Sequence, residues 1–213
     1  MALSNSERVK KFFSVFSGED QVLILINADP DAMSCAMAVK RLLWRKVAGV
    51  SITNINKVKR PDNLAMIRLL GIKMTHIDEL DRSRFTKVVM VDSQPSHSEL
   101  FRDFTPDVVI DHHPDTGYKA KYTDVRASYG ATATIFTEYL KAAGIKPSVK
   151  LATGLYYGIK TDTSNFQRQT LPEDIRAFQY LFKFANIHLE RRIDQAEVPL
   201  EFLQYYEKAF HGR

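Results

Sequence analysis

Cysteine occurs once in the 213 residues, at Cys35, so no disulfide can form within the chain and a disulfide-stapled secreted scaffold is excluded. The thiol lies in an apolar stretch, where a small buried side chain is the ordinary reading, and a reducing cytoplasm is the expected compartment. No apolar run approaches the roughly 20 residues that a membrane helix needs. Met1 to Phe16 is too interrupted by charge for a signal peptide, so no membrane partner is expected. Neither sign of charge gathers into a long block. The 30 lysines and arginines stand against 25 acidic residues, a net charge of +5, which tolerates a phosphate-bearing substrate without requiring nucleic acid. Internal repeats and low-complexity linkers are also missing. What remains is a chain with 45% hydrophobic residues, long enough for one substantial core but hardly for two.

The apolar residues are distributed as strands alternating with helices. Ser4 and Glu7 have capping-box spacing ahead of Val9, Phe12, Phe13 and Phe16, which predicts an opening amphipathic helix stopped near Gly18. Val22 to Ile26 is a continuous branched run, as in a strand covered on both faces. The pattern then predicts a helix over 32–46, a strand over 50–55, a short helix over 63–70 ending at Gly71, and strands over 73–77 and 87–91. Further along it predicts a helix over 98–104, a buried strand at Val108 to Ile110, and helices over 130–143, 149–159 and 172–185. An apolar-faced helix is expected over 199–210. Trp44 and the phenylalanines are assigned to the core. This alternation argues for an α/β fold with a parallel sheet flanked by helices.

Four acidic or histidine clusters punctuate the pattern: Asp29-Pro30-Asp31, Asp92-Ser93, Asp111-His112-His113, and Asp162 within Gly158-Ile159-Lys160-Thr161-Asp162-Thr163. In open α/β sheets the loops after the carboxyl ends of strands converge on one crevice, so clusters far apart in sequence can meet. Carboxylates and imidazoles packed together repel or stay protonated unless a cation neutralises them, which points to a divalent metal. Oxygen ligands with one or two imidazoles favour manganese, with magnesium as the alternative; the absence of thiolates argues against zinc. Each cluster also has a plainer reading as a turn, a helix cap or a polar strand end. Agreement across four of them favours the shared site.

The order Asn27-Ala28-Asp29-Pro30-Asp31-Ala32, Val91-Asp92-Ser93, Asp111-His112-His113-Pro114, then Gly158 to Thr163 resembles the DHH phosphoesterase superfamily, near its oligoribonuclease and phosphoadenosine-phosphate phosphatase branch. The resemblance covers about Val22 to Phe166. It implies a Rossmann-like DHH catalytic domain over 1–195 and a helical linker over 196–213, leading toward an absent DHH-associated domain. It further implies hydrolysis of phosphodiester or phosphomonoester bonds in short nucleotides by metal-activated water. Asp92 would bridge two ions, Asp31, His112 and Asp162 would complete one site, and Asp29 would belong to the other. His113 would contact the substrate phosphate, with Asp92, His112 and His113 as the catalytic group and Arg168 as a further phosphate contact. The segment 127–132 would begin a helix whose backbone amides help to hold an anion.

Leu25 stands where the family usually has a histidine, so the Asp29 site is expected to bind its ion weakly or to recruit His97. The expected partners are a short nucleotide or other phosphate-bearing substrate, single-stranded nucleic acid, and a second copy or partner domain that supplies substrate contacts. The competing reading is a regulatory nucleotide-binding DHH domain without turnover. A haloacid-dehalogenase-type phosphatase, suggested by Asp-x-Asp alone, leaves Asp111-His112-His113 unexplained. The basic stretch Lys57, Lys59 and Arg60 is read as a solvated loop.

Overall fold

Val22 to Ile26 carries no polar side chain, and in the computed structural model, which describes residues 3–196, all five are buried in the middle of a sheet. The strands are β1 (Gln21–Ile26), β2 (Gly49–Asn54), β3 (Thr75–His76), β4 (Lys87–Val91), β5 (Val108–Asp111) and β6 (Tyr122–Val125). They form one sheet in the order β3-β2-β1-β4-β5-β6, and every pairing is parallel. This order reverses direction between β1 and β4, the switch point at which open α/β sheets bind ligands. The described residues contain the helices α1 (Asn5–Phe13), α2 (Pro30–Leu42), α3 (Pro61–Leu70), α4 (Thr132–Ala142), α5 (Val149–Asp162), α6 (Pro172–Phe182) and α7 (Ile187–Asp194). The class is α/β, as expected.

Local signals set the helix starts. The Ser4 hydroxyl accepts from the Glu7 amide at 3.3 Å while Glu7 accepts from the Ser4 amide at 2.8 Å, the reciprocal capping box that opens α1. Asp29 caps α2 and Pro30 occupies its first turn, where a missing N–H costs nothing. The α-helices bury their apolar faces in one large core on one side of the sheet. Fully burying each such aliphatic or aromatic side chain contributes about 1.5–3 kcal/mol. The other side is a smaller cluster of Leu23, Leu25, Met90 and Val109 under Phe101 and Phe104, covered by short 3-10 turns such as 77–79 and 99–101.

Several expectations are corrected. The helix over 98–104 is not formed: one 3-10 turn, Pro95–His97, precedes that stretch and a second, Glu99–Phe101, lies within it, and of its apolar residues only Phe101 and Phe104 reach the core while Leu100 is exposed. The strand over 73–77 shrinks to Thr75–His76 at the sheet edge. β6 escaped notice because Tyr122-Thr123-Asp124-Val125 alternates polar and apolar residues too briefly to stand out, and α7 has few apolar positions. Trp44 is not in the core: it lies beyond the end of α2, is 58% exposed, and is stacked by Arg41 and Arg45 at 5.3 and 4.5 Å. Phe182 is likewise exposed. The helix over 199–210 lies outside the described residues. Among them, no helix is long and apolar enough to cross a membrane.

Candidate metal centre and active site

β1, β4 and β5 lie side by side, so their carboxyl ends bring Asp29 and Asp31, Asp92, and Asp111 to one edge of the sheet. Asp162 arrives differently, as the last residue of α5, which crosses α2 at close range. At the crossing, a Cβ on Gly158 would stand 2.9 Å from the Ser34 hydroxyl and 3.1 Å from Asp31 Cα, so only glycine lets the helices approach this closely. The result is that Asp31, Asp92, His112 and Asp162 each offer one ligand atom within 4.8 Å of the others. These are the residues expected for one metal site, and folding brings all four together.

Each is held by specific contacts. Asp31 is wholly buried, and its two oxygens accept the amides of Thr132 at 2.7 Å and Ala133 at 2.8 Å. The helix start was expected to hold an anion, and the anion held there is the protein's own carboxylate. Gly130, just before them, donates its amide to the buried Asp174 at 3.0 Å, and Asp174 also accepts from the Thr134 hydroxyl at 2.6 Å and the Leu171 amide at 2.7 Å. This ties α6 to the start of α4. Asp92 has φ 56, a left-handed backbone uncommon outside glycine, and Thr132 fixes the carboxylate by donating its hydroxyl at 2.8 Å.

His112 shows best what the cluster is suited to hold. Its Nδ1 lies 3.1 Å from the carbonyl of Tyr129, which accepts its proton, so Nε2 turns toward Asp162 at 3.1 Å and Asp92 at 3.6 Å. That Nε2 is buried with no hydrogen-bond partner. Burial opposes charge on this ring, but the Asp162 contact and the field of Asp31 outweigh it and lift its pKa to about 9. Burial, then repulsion from Asp162, raises Asp29 to about 6 and Asp31 to about 7; burial and the neighbouring carboxylates push Asp92 well up. Three oxygen donors and an orphaned imidazole nitrogen, all strained by mutual charge, fit a divalent cation. The outward hydrogen bond of His112 is the usual means of orienting such a ligand.

Asp111 faces a different task. Its oxygens accept from Gln94 Nε2 at 2.6 Å and the His112 amide at 2.9 Å, and one lies 2.8 Å from His113 Nδ1. Burial pushes its pKa up, but the contacts from His113 and Gln94 prevail and hold it low; Asp111 in turn raises His113. His97 comes to Asp111 and His113 rather than to Asp29, so the suggested substitution for the missing ligand is not realised. Leu25 is fully buried in the smaller apolar cluster, and Asp29 stands outside the four-residue group, capping Ala32 at 2.9 Å.

A cavity of about 640 Å³ opens over the centre, lined by Asp29, His112, His113 and Asp162 and by three cations, Arg60, Lys160 and Arg168. Arg60 is paired with Asp62 at 2.7 Å, and Lys160 with Glu190 and Asp194 at 2.7 and 2.9 Å. Arg168 has no carboxylate partner among the described residues. It is placed by a left-handed turn in which Ser164, Asn165 and Phe166 have φ 47, 56 and 64, at a cost of roughly 1–2 kcal/mol per residue. The Arg168 amide donates to the Thr163 carbonyl at 2.9 Å, and the Phe166 ring meets Phe178 edge-on at 4.8 Å, which offsets that cost. Arg60, Lys160, Thr132 and Gln94 were not singled out from sequence as parts of the site. Lys160 and Thr132 stood within quoted segments, and Arg60 within a basic stretch read as a solvated loop.

Comparison with known proteins agrees with this geometry. The DHH family, N-terminal domain, matches residues 21–159. The chain is 37% identical over 192 residues to an uncharacterized protein of Methanocaldococcus jannaschii, covering 90% of this chain and 40% of that protein. It is 34% identical over 116 residues to the A-adding tRNA nucleotidyltransferase of Aquifex aeolicus, covering 50% of this chain and 14% of that enzyme. The chain thus spans less than half the length of these relatives. Among solved structures, an exopolyphosphatase-related protein from Bacteroides fragilis superposes with a TM-score of 0.73 over 93% of this chain and 64% of that one; at 15% identity the likeness is one of fold. The family match runs from the first residue of β1 into α5, across Asp29, Asp31, Asp92, His112 and His113, and with it the chain belongs to the DHH family.

Proposed function

We propose that this site hydrolyses phosphodiester or phosphomonoester bonds of short nucleotides, as the oligoribonuclease and phosphoadenosine-phosphate phosphatase branch does. Membership of the DHH family already places the chain with phosphoesterase-type hydrolases. The observation that carries the finer reading is the convergence of Asp31, Asp92, His112 and Asp162 around an unpartnered imidazole nitrogen. These four side chains would hold a divalent ion, manganese by donor type with magnesium as the alternative. When bound, such an ion supplies a Lewis acid and acidifies a water at neutral pH.

The protein's own groups do the rest. The α4 amides and the Thr132 hydroxyl keep Asp31 and Asp92 from turning away. His113, with Nδ1 fixed on Asp111, presents Nε2 to an incoming phosphate and can hold or give a proton there. Arg168 neutralises a non-bridging phosphate oxygen, a role suited to its guanidinium fork. Residues 1–195 act as the catalytic domain and 196–213 as a linker, with further substrate contacts supplied by a companion domain or a second copy. The short length relative to the curated relatives supports this division. Single-stranded nucleic acid is the wider substrate class.

Manganese-dependent hydrolysis of a dinucleotide or a nitrophenyl phosphodiester by the protein, compared with Asp92→Ala, tests the proposal. Equal rates in the two proteins overturn it. Leu25 in the apolar core supports a second reading, a regulatory domain holding one ion. Tight binding of one manganese ion and of a nucleotide with no turnover by the full-length protein would favour that reading.

A further inference from the structure

α2 connects two different places. Asp29, at its start, borders the metal centre; Trp44, just past its end and roughly 20 Å away at 1.5 Å per residue, borders a second cavity at the opposite edge of the sheet. This cavity, of about 650 Å³, has an apolar floor of Met37, Ile52, Ile72 and Leu151. Its rim carries Lys40, Arg41 and Lys73 and no acidic side chain. Among the described residues away from this cavity, six arginines pair with carboxylates, Arg8 with Asp124 and Arg126 with Glu138 among them, and two lysines do, Lys121 with Asp107 and Lys160 with Glu190. Lys40, Arg41, Arg45 and Lys73 have no such partner among the described residues. The indole of Trp44 is kept at the surface by the guanidinium groups of Arg41 and Arg45, at the mouth of this cavity.

We infer that this second cavity binds a nucleotide, with the base against the apolar floor and Trp44 and the phosphates on Lys40, Arg41 and Lys73. The volume falls within the roughly 300–1,000 Å³ of small-ligand sites. An apolar floor with a cationic rim suits a ligand that is planar and apolar at one end and multiply anionic at the other. A bare anion leaves the floor exposed to water, and an apolar ligand leaves the cations without a counter-charge. The site shares no residue with the metal centre and does not depend on the phosphoesterase reading.

Trp44 is the sole tryptophan of the chain, so fluorescence excited on the long-wavelength side of tyrosine absorption reports on this cavity. The experiment titrates the full-length protein with ADP in the presence of EDTA, which leaves the metal centre without its ion. The expected result is a saturable change in fluorescence with the same half-point in Asp92→Ala, shifted at least tenfold upward in the double variant Lys40→Glu/Lys73→Glu. Both substituted positions are exposed, and a far-ultraviolet dichroism spectrum checks the fold; Arg41→Ala replaces the double variant if that spectrum is lost. A change that never saturates overturns the inference. So does an unshifted half-point in the double variant, an equal response to pyrophosphate alone, or a response to an acidic peptide or an oligonucleotide in place of ADP.

Discussion

The Nδ1 of His112 lies 3.1 Å from the carbonyl oxygen of Tyr129, and that contact decides which ring nitrogen faces Asp92 and Asp162. Tyr129 closes a turn in which its amide donates to the Arg126 carbonyl at 2.9 Å. The Arg126 guanidinium donates to Asp124 at 2.8 Å and to the Tyr129 hydroxyl at 3.1 Å, and also pairs with Glu138. A buried ion network between α1, β6 and α4 thus supports the orientation of a metal-ligating ring.

Arg126→Ala leaves Asp124 and Glu138 short of a buried partner, and removing one member of such a pair costs on the order of 3 kcal/mol. Arg8 still pairs with Asp124, which keeps the loss toward the lower end. Urea denaturation should show the lower stability, and calorimetry should show weaker manganese binding in the folded variant. Unchanged metal affinity would make the network purely structural.

Manganese binding should release protons. With Asp31 near 7 and His112 near 9 before the ion binds, the cation competes with protons for the same atoms. Affinity is therefore expected to fall as the pH drops below about 9, where His112 takes a proton, and further as it passes through 7, where Asp31 does. Titration calorimetry in two buffers of different ionisation heat measures the release; identical heats in both would contradict it.

Gly158→Ala places a methyl group 2.9 Å from the Ser34 hydroxyl and 3.1 Å from Asp31 Cα. The second neighbour is backbone and cannot swing aside, so the helices must separate, at about 1–3 kcal/mol for overpacking of this kind. Thermal denaturation should show the loss. Because Asp31 and Asp162 move apart with the helices, metal affinity should fall as well, whereas a change confined to stability would show that the cluster tolerates the displacement.

Asp20 supplies an acid-sensitive contact away from the site. Burial alone would raise its pKa, but the Ser17 amide at 2.7 Å and the Thr86 hydroxyl at 2.7 Å outweigh it and hold the folded value low. Its contribution is present above the unfolded carboxylate's pKa of about 3.9 and disappears as the pH falls through the lower folded value. The stability gap between the protein and Asp20→Asn should be widest at neutral pH and close in acid. A gap that is constant with pH would remove Asp20 from the account of acid unfolding.

Sequence alone determined the α/β class, the strands at Val22 to Ile26, Lys87 to Val91 and Val108 to Ile110, and the acidic groups that follow them. Continuous branched runs and a loop rich in aspartate and histidine are local signals, and the parallel sheet needs little more. Tertiary structure decided the rest. Only the crossing of α5 over α2 at Gly158 sets Asp162 beside Asp31. Only the meeting of α4 with α2 turns the Thr132 and Ala133 amides onto a carboxylate instead of a ligand. Trp44 was read as core from its apolarity, yet its position past the last turn of α2 leaves it in solvent between two guanidinium groups. These outcomes depend on how elements far apart in sequence approach one another, a quantity set by packing over the whole sheet and written in no single segment of the chain.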